Sequence, residues 1–310
     1  MSGLTRDNDA CAPLASLHAL RLLRVAGADR QAFLQGQLTQ DLRLITPTRA
    51  VRYAWADAQG RVLVAGEAFD WRDAFWLTVP ATLAAGIVRR LRMFVLRAQV
   101  TVEVAEVMLA GCIPAAGAAP ALPGATLPAR PLECSATAQW LALCPDAGRL
   151  LIAAPAGAWP ALLAAQPGTP ADADAWTLAD IRAGFARIGT AAGAYIPQML
   201  NLDLAGALSF DKGCYPGQET VTRTRHLGRL KRRLLRFGAG LPPPAAGDPV
   251  FGPAGESGAV VLAAPAATGS ELLAVVRLEA AAGPLFADAQ LRQPLAPLAL
   301  PYGIPEMPPA

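Results

Sequence analysis

The sequence predicts an α+β protein in which packed layers of strands and helices come first and a small domain made of β-strands follows. The first hundred residues alternate strand-like segments with single helices, an order that favours a split α+β layer over a doubly wound sheet. From Leu234 onward, short strand-like segments are separated by turns at Pro242–Pro244, Pro253–Gly255 and Gly269, which is typical of a small barrel or sandwich. No GxGxxG, GxxxxGK[ST] or GxSxG sequence occurs, so the fingerprints of nucleotide-binding folds and of serine hydrolases are missing.

The elements of the N-terminal half follow from the spacing of apolar residues. Asp29 is predicted to cap a short helix that ends near Gly36, and the apolar spacing between Pro80 and Arg97 predicts an amphipathic helix. Gly60 lies in a short turn between two strand-like segments, which predicts a β-hairpin. Strands are predicted in five segments: 20–25, 51–57, 62–69, 75–79 and 99–107.

A Pro- and Gly-rich linker near residues 114–130 divides the first domain internally. Asp174 is a candidate cap for a helix beyond this linker. A boundary near residues 230–238 separates a first domain, 1–235, from a β-rich second domain, 236–310. Between the linker and this boundary, two strands and then two helices are predicted: 140–143, 150–153, 158–165 and 176–185.

The composition is that of a globular protein. Of the 310 residues, 53% are hydrophobic and 16% are charged, a balance that excludes an intrinsically disordered chain. The uncharged run 107–129 is long enough to mimic a membrane span, but its prolines and glycines indicate a linker. The N-terminus has no apolar segment after basic residues, so we expect no secretory signal, no membrane association and a cytoplasmic location.

The five cysteines do not show the pattern of a metal site or of a disulfide framework. Their number is odd, no CxxC pair occurs, and the two histidines, His18 and His226, lie far apart in the sequence. We therefore expect no bound metal and no iron–sulfur cluster held by a standard motif. Four of the cysteines are interpreted as small buried hydrophobic residues: Cys11, Cys112, Cys134 and Cys144.

The remaining cysteine, Cys214, lies in the sequence Lys-Gly-Cys-Tyr-Pro-Gly-Gln-Glu, residues 212–219. Gly213 would let the backbone turn tightly and leave the thiol accessible, and Pro216 suits the first turn of a helix. A cysteine just before a helix N-terminus, with the charge of Lys212 nearby, is favoured as a thiolate. The pattern therefore predicts a reactive thiol, and a structural cysteine buried in a turn is the alternative.

Two groups of basic residues lead to different predictions. Arginines on the helix after Pro80 are interpreted as a solvated face: Arg89, Arg90, Arg92 and Arg97. The second group contains His226 and is not interrupted by any acidic residue: Arg223, Arg225, Arg229, Lys231, Arg232, Arg233 and Arg236. Such a stretch predicts an anionic ligand.

The sequence of residues 212–219 resembles the signature Lys-Gly-Cys-(Tyr/Phe)-x-Gly-Gln-Glu of the YgfZ family, which are folate-binding relatives of the glycine cleavage T-protein, an aminomethyltransferase. The resemblance extends over nearly the whole chain. The segment Leu34–Gln37 resembles the family's N-terminal Leu-Gln-Gly-Gln motif, and Tyr195–Gln198, Lys231–Arg233 and Pro301–Tyr302 match further family segments.

This resemblance implies α+β subdomains packed around a central channel that binds tetrahydrofolate, followed by a C-terminal β-barrel. It also implies a role in the assembly, repair or maintenance of iron–sulfur enzymes, with a cluster-dependent tRNA methylthiotransferase among the partners. The aminomethyltransferase engages folate through an acidic pair after its hairpin glycine, but residues 61–65 contain no acid. Aminomethyl transfer is therefore not expected, and any enzymatic activity would combine folate with a cysteine thiolate.

Residue by residue, the resemblance assigns Cys214, Lys212 and Glu219 to the chemistry. Trp176 matches a tryptophan implicated in folate contact, although a tryptophan on a helix is also a common core residue. A second family tryptophan is replaced by Leu20 in this chain. The residues expected to bind tetrahydrofolate are Trp176, Tyr215, Gly217, Gln218, Arg223 and Arg225.

The sequence thus predicts a folate-binding accessory factor for iron–sulfur enzymes that uses Cys214, with the basic run 223–236 holding the glutamate tail of the folate. The alternative is an RNA-binding or tRNA-modification protein that uses the same basic run. No aromatic residue lies between Tyr215 and Phe237 and the net charge is only +3, so direct nucleic-acid binding is not expected. A noncatalytic scaffold with a structural Cys214 is the third hypothesis.

Overall fold

The structure of the protein is a computed structural model that describes residues 14–113, 126–164, 173–187, 193–227, 230–240 and 242–305, together with 120, 122, 124 and 189. Cys11, Arg229, most of the predicted linker and residues 165–172 lie outside the described residues.

The described residues form strands that alternate with helices in the first two thirds of the chain. The helices are α1 (Arg30–Gln35), α2 (Ala81–Arg92), α3 (Trp159–Ala164), α4 (Ala173–Arg182), α5 (Gln218–Leu227) and α6 (Leu278–Ala281). The strands are β1 (Leu14–Ser16), β2 (Leu20–Ala26), β3 (Val51–Ala56), β4 (Val62–Trp71), β5 (Ala74–Pro80), β6 (Thr101–Val104), β7 (Val107–Cys112), β8 (Cys134–Ala136), β9 (Leu141–Leu143), β10 (Leu150–Pro155), β11 (Arg232–Ala239), β12 (Pro249–Gly252), β13 (Gly255–Pro265), β14 (Ser270–Arg277), β15 (Leu285–Phe286) and β16 (Pro294–Leu298).

The first layer is an antiparallel sheet with the strand order β3-β4-β5-β2-β6. Helix α2 covers one of its faces, because Ala84, Ile87, Val88 and Leu91 recur at helical spacing and are all buried in the same apolar cluster as Leu77 of β5. The opposite face of the sheet carries Trp71 and Trp76, among others, and packs against a second sheet. Each face of this sheet is thus covered by another layer.

The second layer is an antiparallel sheet with the strand order β1-β7-β10-β9-β8, and the C-terminal strands close a barrel in the order β11-β14-β13-β12-β15-β16. One apolar cluster joins the barrel to the first sheet, since Leu234 and Leu273 of the barrel are buried together with Ala54 and Val62. Helix α4 contributes Ile181 to the same cluster. The two sheets and the barrel therefore converge around α4.

The predicted α+β fold with a closed C-terminal barrel is confirmed. Most predicted strands and helices are present, and Gly60 has φ +79° in the predicted hairpin turn. Two differences have local causes. The helix after Pro80 ends at Arg92, where the N–H groups of Phe94 and Val95 donate to carbonyl oxygens only three residues earlier, as in a tight turn. The predicted strand 99–107 is divided between β6 and β7, which pair in different sheets. The first barrel strand starts at Arg232, within the range 230–238 in which the domain boundary is expected.

Candidate functional site

The side chain of Cys214 lies on an exposed loop between Lys212 and the start of α5. Residues 213–215 have no regular structure, a turn follows at 216–217, and α5 begins at Gln218. Pro216 therefore belongs to the turn that leads into the helix rather than to its first turn. Cys214 is separated from the helix by three residues, and its accessibility comes from the loop itself.

Lys212 anchors this loop to the N-terminal Leu-Gln-Gly-Gln segment. Its Nζ donates hydrogen bonds to the carbonyl oxygens of Gln35 at 2.7 Å, Leu38 at 2.6 Å and Gln40 at 3.0 Å. The side chain is 9% exposed, and burial lowers the pKa of its ammonium from 10.5 to about 8, against the opposing effect of Asp41. The contacts of Lys212 are those of a structural anchor, and they join the two family motifs to each other.

Two glycines bring the loop against the β3–β4 hairpin. Gly217 has φ +79°, and a Cβ built on it would lie 2.5 Å from both the Asp57 carbonyl oxygen and the Cα of Gly60. Gly60 has the same φ, and a Cβ there would lie 2.8 Å from Cβ of Thr220. The close approach of the two turns therefore requires glycine on both sides. Gly213, by contrast, has no positive φ and open space around it, so the predicted tight turn is at Gly217.

The other motif residues divide into buried and exposed ones. Tyr215 is 6% exposed, burial raises the pKa of its phenol to about 12, and its ring centroid lies 5.3 Å from Nζ of Lys212. Glu219 and Arg223 are exposed on α5, and Gln218 is half-buried at its first position. Arg225 is exposed and stacks its guanidinium 4.0 Å from the ring centroid of Phe210. Cys214 and Glu219 are thus open to solvent, whereas Tyr215 supports the loop from below.

A separate cavity of about 780 Å³ opens beside α4. One face of that helix lines it, as the spacing shows: Ala175, Leu178, Ala179, Arg182 and Ala183. Most of the remaining wall comes from β3, the segment before β10, a loop near residue 204 and the C-terminal segment, which contribute Arg52, Pro145–Arg149, Leu204, Ala205, Pro301 and Tyr302. Three further residues complete the wall: Ile113, Pro131 and Leu132. Cys214 is not among the described residues that line this cavity.

A chain of buried ion pairs runs behind the cavity. Arg187 donates to the carboxylate of Glu67 at 2.6 Å and to that of Asp180 at 2.9 Å. Burial would raise the pKa of Glu67, but the charge and hydrogen bonds of Arg187, together with the hydroxyl of Thr78, lower it to about 2. Glu67 is fully buried in β4, whereas Asp180 lies on α4 and Arg187 in the loop after it. The two ion pairs of Arg187 therefore fix α4 and this loop against the first sheet.

The same chain of ion pairs reaches the cavity wall through Arg149. Its Nη2 donates to Asp180 at 2.7 Å and to Asp146 at 2.5 Å. Arg52 donates to the carbonyl oxygens of Pro145 at 3.1 Å and Ala205 at 3.2 Å, while its buried Nε has no hydrogen-bond partner among the described residues. These charged residues were not predicted from the sequence. A usable signal was present in β4, where Glu67 interrupts the apolar run from Val62 to Phe69.

Trp176 of α4 lies in the core against β7 and is not among the described residues that line the cavity. It is 3% exposed, and a Cβ on Gly111 would lie 2.3 Å from its ring, so the β7 backbone covers it closely. The guanidinium of Arg149, which lines the cavity, lies 4.4 Å from its ring centroid. In this arrangement Trp176 supports Arg149, and the packing matches the interpretation of the tryptophan as a core residue.

The basic run 223–236 does not form one charged face. Arg233 is 8% exposed and pairs with Asp203 at 2.7 Å, and Arg236 pairs with Glu271 at 2.6 Å. Arg233 therefore holds the barrel to the segment around Asp203, whereas Arg236 joins two neighbouring strands of the barrel. Of the members of the run that the structure describes, five are exposed: Arg223, Arg225, His226, Lys231 and Arg232.

Within the described ranges, no group of three or more His, Cys, Asp or Glu side chains is placed to hold a metal ion. None of the described helices combines the length and the apolar character needed to cross a membrane.

Comparisons with known proteins identify relatives of this chain. No family model matches it. It is similar to three proteins named tRNA-modifying protein YgfZ. The one from Colwellia psychrerythraea is 28% identical over 248 residues, which cover 77% of this chain and 75% of that protein. The one from Vibrio vulnificus is 30% identical over 231 residues, which cover 74% of this chain and 71% of that protein. The one from Edwardsiella ictaluri is 30% identical over 249 residues, which cover 72% of this chain and 72% of that protein.

Among solved structures, the chain is similar to the glycine cleavage system aminomethyltransferase T from Bartonella henselae. The TM-score is 0.74, the sequence identity is 17%, and the match covers 93% of this chain and 86% of that one. This likeness establishes the aminomethyltransferase-like fold. Because the sequence identity to YgfZ proteins reaches 30% over most of their length, the chain belongs to the YgfZ family.

Proposed function

We propose that this protein is a folate-binding accessory factor in tRNA modification that serves iron–sulfur enzymes, with tetrahydrofolate held in the cavity beside α4. The observation that carries this proposal is the composition of the cavity wall, where apolar side chains alternate with the guanidinium groups of Arg52, Arg149 and Arg182. The names of the relatives, which describe tRNA-modifying proteins, support the biological setting.

The residues present fit a reduced folate. The cavity of about 780 Å³ falls within the roughly 300–1,000 Å³ of typical ligand pockets. Leu178 and Ala179 offer an apolar surface for the pterin and aminobenzoyl rings, and arginines suit the glutamate carboxylates. Arg52 in particular keeps a buried Nε that lacks a partner among the described residues, so it has a hydrogen bond to offer a ligand.

Bound tetrahydrofolate would supply one-carbon chemistry, and the residues of this chain would bind and orient it. Arg149 is held by Asp146 and Asp180, so its guanidinium is already oriented before any ligand enters. Cys214 is exposed on a loop that does not line the cavity. In this proposal the thiol therefore faces a client protein, while the folate site lies apart from it.

A fluorescence titration with tetrahydrofolate tests the proposal. Ala179→Phe places a ring in the cavity, and we expect it to weaken folate binding by about tenfold or more, which is the scale of losing a well-packed ligand contact. Ala85→Phe, at an exposed position on α2, is the matched control and should bind as the wild type does. Failure of the wild-type protein to bind at high micromolar tetrahydrofolate would refute the folate-binding proposal.

A direct RNA-binding function is the second candidate, and the basic run 223–236 motivates it. The ion pairs of Arg233 and Arg236 remove two charges from that run, which argues against a continuous phosphate-binding surface. Folate-dependent service to iron–sulfur enzymes therefore remains the function that we propose.

A further inference from the structure

A group of exposed apolar side chains lies just beyond the C-terminal end of α2. Met93 is 66% exposed, Phe94 43% and Leu96 87%, and we call residues 93–97 the α2 loop. Single exposed apolar residues are common on protein surfaces, but three large ones within four positions form a patch. Such patches mark contact sites more often than they mark folding defects.

The α2 loop is held in place by hydrogen bonds and by packing. The backbone N–H of Phe94 donates to the carbonyl oxygen of Leu91 at 3.0 Å, and that of Val95 donates to Arg92 at 3.1 Å. The side chain of Arg92 donates to the carbonyl oxygen of Val102 at 2.8 Å, and Val95 packs against the core of the first sheet. The exposure of Met93 and Leu96 is therefore fixed by the fold, and little ordering would be needed on binding.

The patch is surrounded by positive charge. Four exposed arginines flank it: Arg89, Arg90, Arg92 and Arg97. No acidic residue occurs between Asp73 and Glu103, and in the part of the chain that the structure describes neither Arg89 nor Arg97 has a carboxylate within ion-pair distance. A partner that covers this patch must therefore supply negative charge around an apolar centre.

The patch is connected to the loop that carries Cys214. The ring of Phe94 meets that of Trp55 edge-on, with centroids 6.3 Å apart. Trp55 Nε1 donates to Oε1 of Gln37 at 3.3 Å, and the flanking carbonyl groups of Gln35 and Leu38 accept from Lys212. A partner bound at the α2 loop would thus be adjacent to the segment that anchors the Cys214 loop.

We propose that the α2 loop and its four arginines form the docking surface for a protein partner that presents an apolar recess edged by carboxylates. The chemistry favours a protein over RNA, because the two most exposed side chains, Met93 and Leu96, are aliphatic and cannot stack on bases, and the ring of Phe94 packs against Trp55. Methionine, phenylalanine and arginine are enriched in protein interfaces. The proposal rests on the proposed function in one respect, namely that the partner is an iron–sulfur client enzyme.

The test measures the binding of a purified, cluster-loaded tRNA methylthiotransferase from the same organism to the full chain by biolayer interferometry. Leu96→Gln combined with Arg97→Glu should weaken binding by about tenfold or more, as expected for losing an apolar anchor and a charge contact. The matched control combines Leu298→Gln with Arg292→Glu, an exposed apolar and basic pair on the barrel, and should bind as the wild type does. Binding should also weaken as salt is raised.

Equal affinity of the patch variant and the control variant would overturn the docking surface, and so would the absence of wild-type binding to this enzyme. Loss of tRNA affinity in the patch variant, with enzyme binding retained, would overturn it in favour of RNA. A parallel tetrahydrofolate titration of each variant separates the two proposals, because the α2 loop does not line the cavity. Normal folate binding with failed docking would leave the proposed folate function intact.

Discussion

The ammonium of Lys212 lies 2.6 Å from the carbonyl oxygen of Leu38, and this contact joins the two motifs through which the chain resembles its family. Two further carbonyl groups, of Gln35 and Gln40, complete the set of acceptors. A lysine in a cysteine motif suggests a charge that activates the thiol. In this structure the same lysine holds the loop in place, and a measurement of stability distinguishes this structural role from activation of the thiol.

Lys212→Met should lower the free energy of unfolding by about 2–3 kcal/mol, because it leaves carbonyl groups without the charged donor that satisfied them. Glu219→Gln is the control in the same motif and should change stability by less than about 0.5 kcal/mol, since Glu219 is exposed. Urea denaturation followed by circular dichroism measures both values. Unchanged stability of Lys212→Met would show that these hydrogen bonds contribute little and would return Lys212 to a chemical role.

Gly217 and Gly213 lie in the same loop but should respond differently to alanine. Gly217→Ala should cost about 2–4 kcal/mol, because it combines a positive φ with a Cβ that meets the backbone of Asp57 and Gly60. Gly213→Ala has open space and should be tolerated. Thermal unfolding of the two variants compares them directly. A destabilised Gly213→Ala beside a stable Gly217→Ala would contradict the packing of the two turns.

The buried pair of Glu67 and Arg187 predicts acid sensitivity. The pKa of Glu67 is about 2 in the folded protein, against 4.5 for an unperturbed glutamate, so the folded state favours the ionised form. The resulting stabilisation is fully present above pH 4.5 and is lost as the pH falls from 4.5 toward 2. Glu67→Gln should therefore reduce stability at neutral pH, by about 3–5 kcal/mol for a broken buried pair, and should flatten the pH dependence in that window.

Urea denaturation at several pH values between 2 and 7 tests this prediction. Glu106→Gln removes an exposed carboxylate and should keep the wild-type slope between pH 2 and 4.5. If Glu67→Gln kept that slope as well, the acid sensitivity would have to come from other carboxylates.

The strands and helices were largely predictable because apolar periodicity reports burial directly. The helix α2 is an example, with Ala84, Ile87, Val88 and Leu91 facing the core at helical spacing. The turn at Gly60 was predictable from its residue type for the same local reason. The short strand β8, Cys134–Ala136, was missed, because three residues carry too little periodicity.

The candidate site was less predictable, because its geometry depends on contacts between distant segments. Lys212 meets Gln35 across 177 positions, and Arg187 meets Glu67 across 120. No local pattern shows that Arg52 and Arg182 share a cavity. A charged residue in an apolar strand, such as Glu67, indicates a buried partner but does not identify it.

The basic run should also divide into structural and exposed charges in solution. Arg233→Gln should lower the free energy of unfolding by about 3 kcal/mol, because it removes one partner of a buried pair with Asp203. Arg232→Gln, at the exposed neighbouring position, should have little effect. Denaturation curves of the two variants measure this difference, and equal stability would contradict the pairing.

The exposed members of the run give a test of RNA binding that does not disturb the fold. Combining Arg223→Glu, Lys231→Glu and Arg232→Glu should leave tRNA affinity unchanged if the run does not bind RNA. A filter-binding assay at several salt concentrations measures this. A drop of about tenfold or more, together with a smaller salt dependence, would establish phosphate contacts and favour the RNA-binding function.

Cysteine labelling in the folded protein should be selective for Cys214, because the other described cysteines are buried. Cys112 is 0% exposed, Cys134 5% and Cys144 2%, whereas Cys214 is exposed. Burial also raises the pKa of Cys134 to about 12 and that of Cys144 to about 11. A thiol with a pKa of about 11 is ionised in fewer than about one molecule in a thousand at neutral pH, so its reaction with iodoacetamide is slow.

A Cys11→Ser background removes the one cysteine outside the described residues and simplifies the measurement. Iodoacetamide at neutral pH should then add one label, which peptide mass spectrometry should locate on Cys214, and Cys214→Ser should remain unlabelled. If Cys134 or Cys144 reacted as fast as Cys214, the burial of these thiols would be contradicted. Because Cys214 lies apart from the cavity, Cys214→Ser should keep tetrahydrofolate binding while it lowers client-enzyme activity, and this separation distinguishes a chemical thiol from a scaffold residue.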